Sequence, residues 1–112
     1  MAEVYATLVP RVSRYNTVVA GPDPWIEPTA RRHGVGDEDI RHALMHPAYV
    51  GDDPDALDPN IPMTLILGSD HAGNRLELAA LIADDGTVVV VHAMPMRTKY
   101  AHLWPGERRT RR

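Results

Sequence analysis

The alternation of apolar and polar positions is clearest in the last third of the chain. Three β-prone runs, Thr64 to Gly68, Arg75 to Ala83 and Thr87 to Met94, are separated by the turn sequences SDHAGN and DDG. The middle run also fits helical spacing, but Asp85-Gly86 is a favoured hairpin signal and indicates a strand on either side of it. The pattern therefore predicts a three-stranded antiparallel meander.

The segment before this meander predicts two short helices. Thr29 can cap the first helix and Gly34 can end it. The second begins near Asp37, has acidic residues in its first turn and ends at Pro47. Three apolar residues form the buried stripe of the second helix: Ile40, Ala43 and Leu44.

The two ends of the chain differ from this middle part. Residues 1–28 form an N-terminal extension, in which the runs Val4 to Val9 and Tyr15 to Val19 are possible strands. The proline-rich connector GPDPWIEP follows, and it can be neither a helix nor a central strand. Residues 29–104 are expected to form an α+β domain, a small antiparallel sheet packed against two short helices. Residues 105–112 are a basic tail.

Composition limits the class of protein. The chain has 112 residues, which suits one domain, and it has no cysteine, which excludes disulfides and thiolate metal sites. No apolar run approaches the roughly 20 residues that a membrane helix needs, so no membrane association is expected. The N-terminus lacks the features of a secretory signal, and the expected location is the cytoplasm.

Charge is unevenly distributed along the chain. The net charge is −3, which argues against a protein that coats nucleic acid over its whole surface. Between Asp37 and Asp85 there are eleven acids and two arginines, whereas between Arg97 and Arg112 there are six bases and one acid. A cationic site is therefore expected near the C-terminal end of the meander.

Two stretches in this order, RRHGVGDEDIRHALMHP and LILGSDHAGNRLELAALIADDGTVVVVHAMPMRTKY, resemble the RelE/BrnT-like toxins of bacterial type II toxin–antitoxin systems. The likeness covers residues 30–100. It combines an HGV element and an acidic helix start with a glycine-containing hairpin and a strand that ends in an Arg-x-x-Tyr-like element. The resemblance implies a sheet packed on helices, a ribonuclease activity that inhibits growth or translation, and a cognate antitoxin.

The strand that ends in HAMPMRTKY carries residue types suited to RNA chemistry. Metal-independent cleavage needs a group that accepts the 2′-hydroxyl proton, cations that stabilise the phosphorane, and a donor for the leaving oxygen. His92 can exchange a proton near neutral pH, Arg97 and Lys99 can bind phosphate oxygens, and Tyr100 can stack on a base or donate a proton. These four residues are the predicted catalytic site.

A structural interpretation of the same residues stays open. Strand alternation places His92 on the same face as Val88 and Val90, at the end of a line of core residues. There, the imidazole can simply bond to a backbone group at the sheet edge, while Arg97 and Lys99 remain solvated charges.

Three further arginines are candidates for RNA binding. Arg75 begins the strand beside the one that carries His92, and a surface ion pair with Asp70 or Glu77 is the alternative role. Arg108 and Arg109 belong to the tail, which can contact RNA, pair with an acidic segment of an antitoxin, or remain solvated.

Metal and cofactor sites are not expected. His42 and His46 are four residues apart on the second predicted helix, as in half of a zinc site, with His33 or Asp39 as conceivable third ligands. Position 43 is Ala, so the HExxH motif is absent. The sequence GVGDED also lacks the spacing of a dinucleotide or phosphate-binding loop.

The resulting functional hypothesis is a toxin that cleaves RNA, on the ribosome or free, and is neutralised by an antitoxin. A homodimer and a toxin–antitoxin hetero-oligomer are both compatible with the sequence. A non-catalytic interaction module of the same fold is the alternative, and the acidic middle of the chain favours it. A small-molecule or protein-modifying enzyme on this scaffold is a third class, with no motif to support it.

Overall fold

A computed structural model describes residues 24–106 and, for the backbone alone, residues 11–12 and 18–19. The two short pieces are strands β1, Arg11–Val12, and β2, Val18–Val19, which pair in an antiparallel manner. The second strand falls within the predicted run Tyr15 to Val19. The run Val4 to Val9 lies outside the described residues.

A five-stranded sheet organises the main body. Its strands are β3 Trp25–Ile26, β4 Pro47–Asp52, β5 Thr64–Ser69, β6 Arg75–Ile82 and β7 Val88–Pro95. They lie in the order β3-β7-β6-β5-β4, and β3 runs parallel to β7 while the other neighbours are antiparallel. The α+β class and the meander of β5, β6 and β7 are confirmed, but the sheet is mixed rather than purely antiparallel.

The helical segments are short. They are a first 3-10 helix, Pro28–Arg31, the α-helix α1, Asp37–Met45, and a second 3-10 helix, Thr98–Leu103. Gly36 occupies the N-cap position of α1. The predicted stripe of α1 is confirmed, because its members are fully buried: Ile40, Ala43 and Leu44.

Both hairpins of the meander close with the same three-residue turn. The backbone N–H of Asp70 donates to the carbonyl of Asn74, and the N–H of Ala83 donates to Thr87 in the same way. The third residue of each loop has a positive φ, 89° at Gly73 and 91° at Gly86. Glycine adopts this conformation without a Cβ penalty, so the turn sequences fix both hairpins. The Asp85-Gly86 signal is typical of a two-residue loop, but the second loop has three residues.

The edge strand β4 was not predicted from the sequence. It begins with Pro47, at the end of α1, and its partner is β5. Proline is compatible with the first residue of an edge strand, but in a sequence it indicates the end of a helix and a loop. The pairing with β5 decides the structure of this segment.

Both faces of the sheet are covered by other segments of the chain. Helix α1 and the first 3-10 helix pack on one face, which we call the helix face, with a core built from Ile66, Leu78, Val90 and the residues around them. On the other face, which we call the site face, Leu65 and Leu67 pack against Tyr100 of the second 3-10 helix. Both faces therefore exclude water from the middle of β5 and β6.

A β-bulge in β7 changes the direction of His92. Val90 and His92 pair with consecutive residues of β6, so Val91 between them has no partner of its own. After the bulge the alternation is reversed, and Ala93 joins Val88 in the core of the helix face. The prediction that His92 shares a face with Val88 and Val90 is therefore wrong, because His92 lies on the site face.

Within the described residues, no helix is both long enough and apolar enough to cross a membrane.

Helix α1 approaches the sheet most closely at Gly68 of β5. A Cβ built on Gly68 would lie 2.9 Å from the carbonyl carbon of Ala43, which is a fully buried residue of α1. Backbone cannot move aside as a flexible side chain can, so only glycine fits here.

We expect Gly68→Ala to lower the free energy of unfolding by about 1 to 3 kcal/mol, because α1 must shift away from the sheet. Gly36→Ser is the control, since a Cβ at Gly36 meets no atom within 4 Å and serine is a good N-cap. Urea unfolding followed by circular dichroism measures both variants. Equal stability of Gly68→Ala and the wild type would contradict the close approach.

Candidate functional site

A buried carboxylate is the centre of the site face. Glu77 is the third residue of β6, and its side chain is only 1% exposed. Its oxygens accept hydrogen bonds from the Arg97 backbone N–H at 2.9 Å, from Arg97 Nη2 at 2.7 Å and from Arg97 Nε at 3.1 Å. His92 Nε2 donates a further hydrogen bond at 3.2 Å.

Local backbone geometry brings these donors together. The bulge places His92 opposite Ala79, on the same face as Glu77. After Pro95 the chain stays against β6, because the N–H of Met96 donates to the carbonyl of Arg75 at 2.9 Å. The next residue is Arg97, whose backbone and side chain both reach Glu77.

The donors keep Glu77 ionised. Burial raises the pKa of Glu77, but the hydrogen bonds from Arg97 and His92 outweigh burial and leave the pKa below its ordinary value. An ionised carboxylate only accepts hydrogen bonds, so Nε2 of His92 carries the proton. In the neutral form of His92, Nδ1 is then the nitrogen with the free lone pair.

A second carboxylate, Asp55, lies beside this group. It accepts hydrogen bonds from Lys99 Nζ and from the Tyr100 hydroxyl at 2.9 Å, and it lies 4.0 Å from Arg97 Nη2. The bond from Lys99 contributes most to lowering the pKa of Asp55. Burial, followed by the bond to Asp55, raises the pKa of Tyr100 to about 12. Tyr100 therefore remains a protonated donor across the neutral range.

These groups line a pocket of about 360 Å³. The loop between β4 and β5, which we call the acidic loop, contributes many of the lining residues, and the lining as a whole is mainly apolar, with Leu65, Ala79 and Met63 among its members. Its polar lining includes the bonded group of Glu77, His92, Arg97, Tyr100 and Asp55. An apolar chamber with a few convergent polar groups is typical of a ligand or substrate site.

The structure brings three of the four predicted catalytic residues to this pocket. His92, Arg97 and Tyr100 line it, and Lys99 contacts its wall through Asp55. Strand β7 is apolar because both of its faces are covered, and the bulge directs His92, its one polar side chain, to the site face.

The predicted RNA-binding arginines are placed differently. The guanidinium of Arg75 lies over the ring of Trp104, 4.4 Å from the ring centre, and it lines a separate groove rather than the pocket. The carboxylate of Asp70 caps the hairpin turn through the N–H groups of Ala72 and Asn74. Arg108 and Arg109 lie outside the described residues.

Two functional candidates were missed at the level of sequence. Glu77 was considered only as an ion-pair partner of Arg75, although a single acid inside the apolar run LELAAL is itself a signal of a buried polar site. Asp55 belongs to the acidic loop between β4 and β5, and nothing in the sequence separates it from Asp53 or Asp58.

His42 of α1 and His46 at its C-cap pack against each other and against His71. The rings of His42 and His46 stack with centroids 4.2 Å apart, and the ring of His71 lies 4.3 Å from His42. Nδ1 of His42 and of His46 faces a backbone carbonyl. Among residues 24–106 there is no group of three or more histidine, aspartate or glutamate side chains arranged to hold a metal ion.

No family model, curated protein or solved structure matches this chain. What the protein does is therefore inferred from its own residues.

The ionised state of Glu77 predicts a pH-dependent contribution to stability. Because folding lowers the pKa of Glu77, its ionised carboxylate stabilises the fold at pH values above its ordinary pKa of 4.5. This stabilisation is lost as the pH falls through the pKa of Glu77 in the folded state. We expect Glu77→Gln to be less stable at pH 7 by about 2 kcal/mol, below the full cost of breaking a buried pair because Arg97 is partly exposed.

This difference from the wild type should shrink as the pH falls below 4.5. Urea unfolding at pH 3 to 7 measures it, with Glu38→Gln as the control because the Glu38 side chain is 81% exposed in its pair with Arg41. A difference that stays constant between pH 7 and pH 3 would show that Glu77 is not ionised in the folded state.

Proposed function

We propose that this chain is a metal-independent endoribonuclease, the RelE/BrnT-like toxin of a toxin–antitoxin pair, and that the pocket on the site face is its active site. One observation carries the proposal: the imidazole of His92 is held by the buried carboxylate of Glu77 at the wall of a pocket that also presents Arg97 and Tyr100. The proposed partners are RNA, in the cytoplasm and free or on the ribosome, and an antitoxin that covers the pocket.

The Glu77–His92 pair suits a general base. With Nε2 donating to Glu77, Nδ1 of neutral His92 can accept the proton of a ribose 2′-hydroxyl. The carboxylate orients the ring and stabilises the imidazolium that forms when the proton arrives. His92 remains 31% exposed, so a substrate can reach it.

The neighbouring donors suit a phosphate. Arg97 gives part of its fork to Glu77 but its side chain is 44% exposed, and a planar guanidinium binds phosphate oxygens well. Lys99 adds a positive charge, and the Tyr100 hydroxyl is a donor at the same place. Together these groups can stabilise the extra negative charge of the phosphorane.

Asp55 occupies the place that the proposed phosphate would take. Its carboxylate already binds Lys99 and Tyr100 and lies near Arg97. An RNA phosphate must therefore compete with Asp55 and move the acidic loop aside.

The same contacts favour a second candidate, a non-catalytic interaction module. Arg97, Lys99 and Tyr100 each contact a carboxylate of the chain itself, as in a network that only stabilises the fold. In that case the pocket would receive a side chain of a partner protein, and no variant of His92 would change the integrity of RNA.

The ribonuclease proposal predicts the behaviour of His92→Gln. Expression of the wild type in a bacterial host without antitoxin should stop growth and fragment total RNA, and His92→Gln should reduce the cleavage rate of purified protein about 100-fold or more. His102→Gln, an exposed histidine of the second 3-10 helix, is the matched control. Normal growth and intact RNA with soluble wild-type protein would favour the interaction module.

The position of Asp55 predicts that Asp55→Asn binds RNA more tightly. Removing the competing charge should lower the Kd for a single-stranded oligonucleotide with 2′-O-methyl riboses several-fold, because Lys99 loses its carboxylate partner and the negative charge near Arg97 is removed. Asp84→Asn is the control, with the same charge change at an exposed turn residue that does not line the pocket. Fluorescence anisotropy measures both, and an equal gain in the two variants would indicate a general charge effect.

A further inference from the structure

RNA cleavage requires a proton for the leaving 5′-oxygen, and the groups around Asp55 are poorly suited to supply it. The Tyr100 hydroxyl donates to Asp55, and its pKa of about 12 disfavours proton release near neutral pH. Lys99 is also bonded to Asp55. A general acid is thus better sought on the other side of His92.

A second imidazole lies there. The rings of His33 and His92 meet edge to face, with centroids 5.6 Å apart and an angle of 75° between the ring planes. Glu77 contacts His92 from β6, and His33 contacts it from the segment after the first 3-10 helix. His33 is itself exposed, so solvent and substrate can reach it.

The position of His33 is fixed by the edge of β7. The Thr29 hydroxyl donates to the carbonyl of the bulged residue Val91 at 2.8 Å, and the N–H of Glu27 donates to the carbonyl of Val90 at 2.9 Å. Ala30 is completely buried in the core of the helix face. The chain then turns at Gly34, which has a φ of 82°. These contacts hold the turn that carries His33 against the bulged part of β7.

His33 also connects the pocket to a second concave surface. A groove of about 710 Å³ is lined by His33 and Arg75 together with Asp39 and Asp70. Because His33 and His92 are in contact, a nucleic-acid strand can run from the pocket past both imidazoles towards Arg75. The predicted role of Arg75 in RNA binding fits this path, although Arg75 does not line the pocket.

We propose that His33 is the general acid of this site and that His92 is the general base, an inference that rests on the proposed ribonuclease function. His92 takes the proton of the 2′-hydroxyl, the 2′-oxygen forms a bond to phosphorus, and the bond from phosphorus to the 5′-oxygen breaks. Protonated His33 gives its proton to that 5′-oxygen. The products are a 2′,3′-cyclic phosphate and a 5′-hydroxyl, so no water, metal or redox partner is consumed.

The test is a pH–rate profile of kcat/KM on an oligonucleotide that contains a single ribonucleotide. A neutral base and a protonated acid together give a bell-shaped profile in the wild type. His33→Gln should lower the rate about 100-fold or more and remove the fall at high pH, because no acid is left to deprotonate. His92→Gln should remove the fall at low pH, and His102→Gln should keep the full bell.

A second substrate separates a general acid from a structural residue. Uridine 3′-(4-nitrophenyl phosphate) releases nitrophenolate, which leaves without being protonated. His33→Gln should cleave it at close to the wild-type rate, whereas His92→Gln should remain slow. Equal losses of His33→Gln on both substrates would assign His33 a structural role and overturn the inference.

Two other outcomes are also decisive. An unchanged bell-shaped profile in His33→Gln, with an active wild type, would overturn the role of His33 and leave the ribonuclease function intact. Absence of cleavage of both substrates by folded wild type would overturn the ribonuclease function itself, and with it the role of His33.

Discussion

The site face depends on the burial of one negative charge. Glu77 belongs to strand β6 and is preceded and followed there by apolar residues. Its side chain is almost inaccessible to water. A buried carboxylate is tolerated only where donors replace its hydration. That requirement fixes Arg97 after the end of β7 and the imidazole of His92 beside it. The second 3-10 helix begins directly after Arg97, and its Tyr100 packs on the site face. The ion pair of Glu77 and Arg97 therefore fixes the start of the segment that covers this face.

The β-bulge at Val91 is the second element on which the site depends. Regular alternation would direct His92 to the helix face, where the first 3-10 helix packs on β7, and Glu77 would lose one donor. With the bulge, the strand keeps its apolar residues in the core before and after it and places one polar side chain on the opposite face. The carbonyl of the bulged residue also accepts the hydrogen bond from Thr29, which brings the turn with His33 to the same place.

The acidic middle of the chain and the basic residues at the end of β7 meet in three dimensions. Asp55 comes from the long loop between β4 and β5, yet its carboxylate binds Lys99 and Tyr100, more than forty residues later. Arg97 and Lys99, the two cations of the predicted catalytic site, therefore each have an internal carboxylate partner. These internal ion pairs offset the positive charges, so the negative net charge of the chain is compatible with a local group of cations.

The sequence by itself determined the meander, its glycine turns and the buried stripe of α1, because hairpin signals and helical periodicity act over a few residues. It also indicated three of the residues that line the pocket, His92, Arg97 and Tyr100, since their types suit phosphate chemistry. Only the tertiary structure decided the face of His92, the roles of Glu77 and Asp55, and the strand β4. Those features depend on a register shift and on pairing between distant segments. The interactions that stabilise them join residues far apart in the sequence, so no short stretch of the chain indicates them.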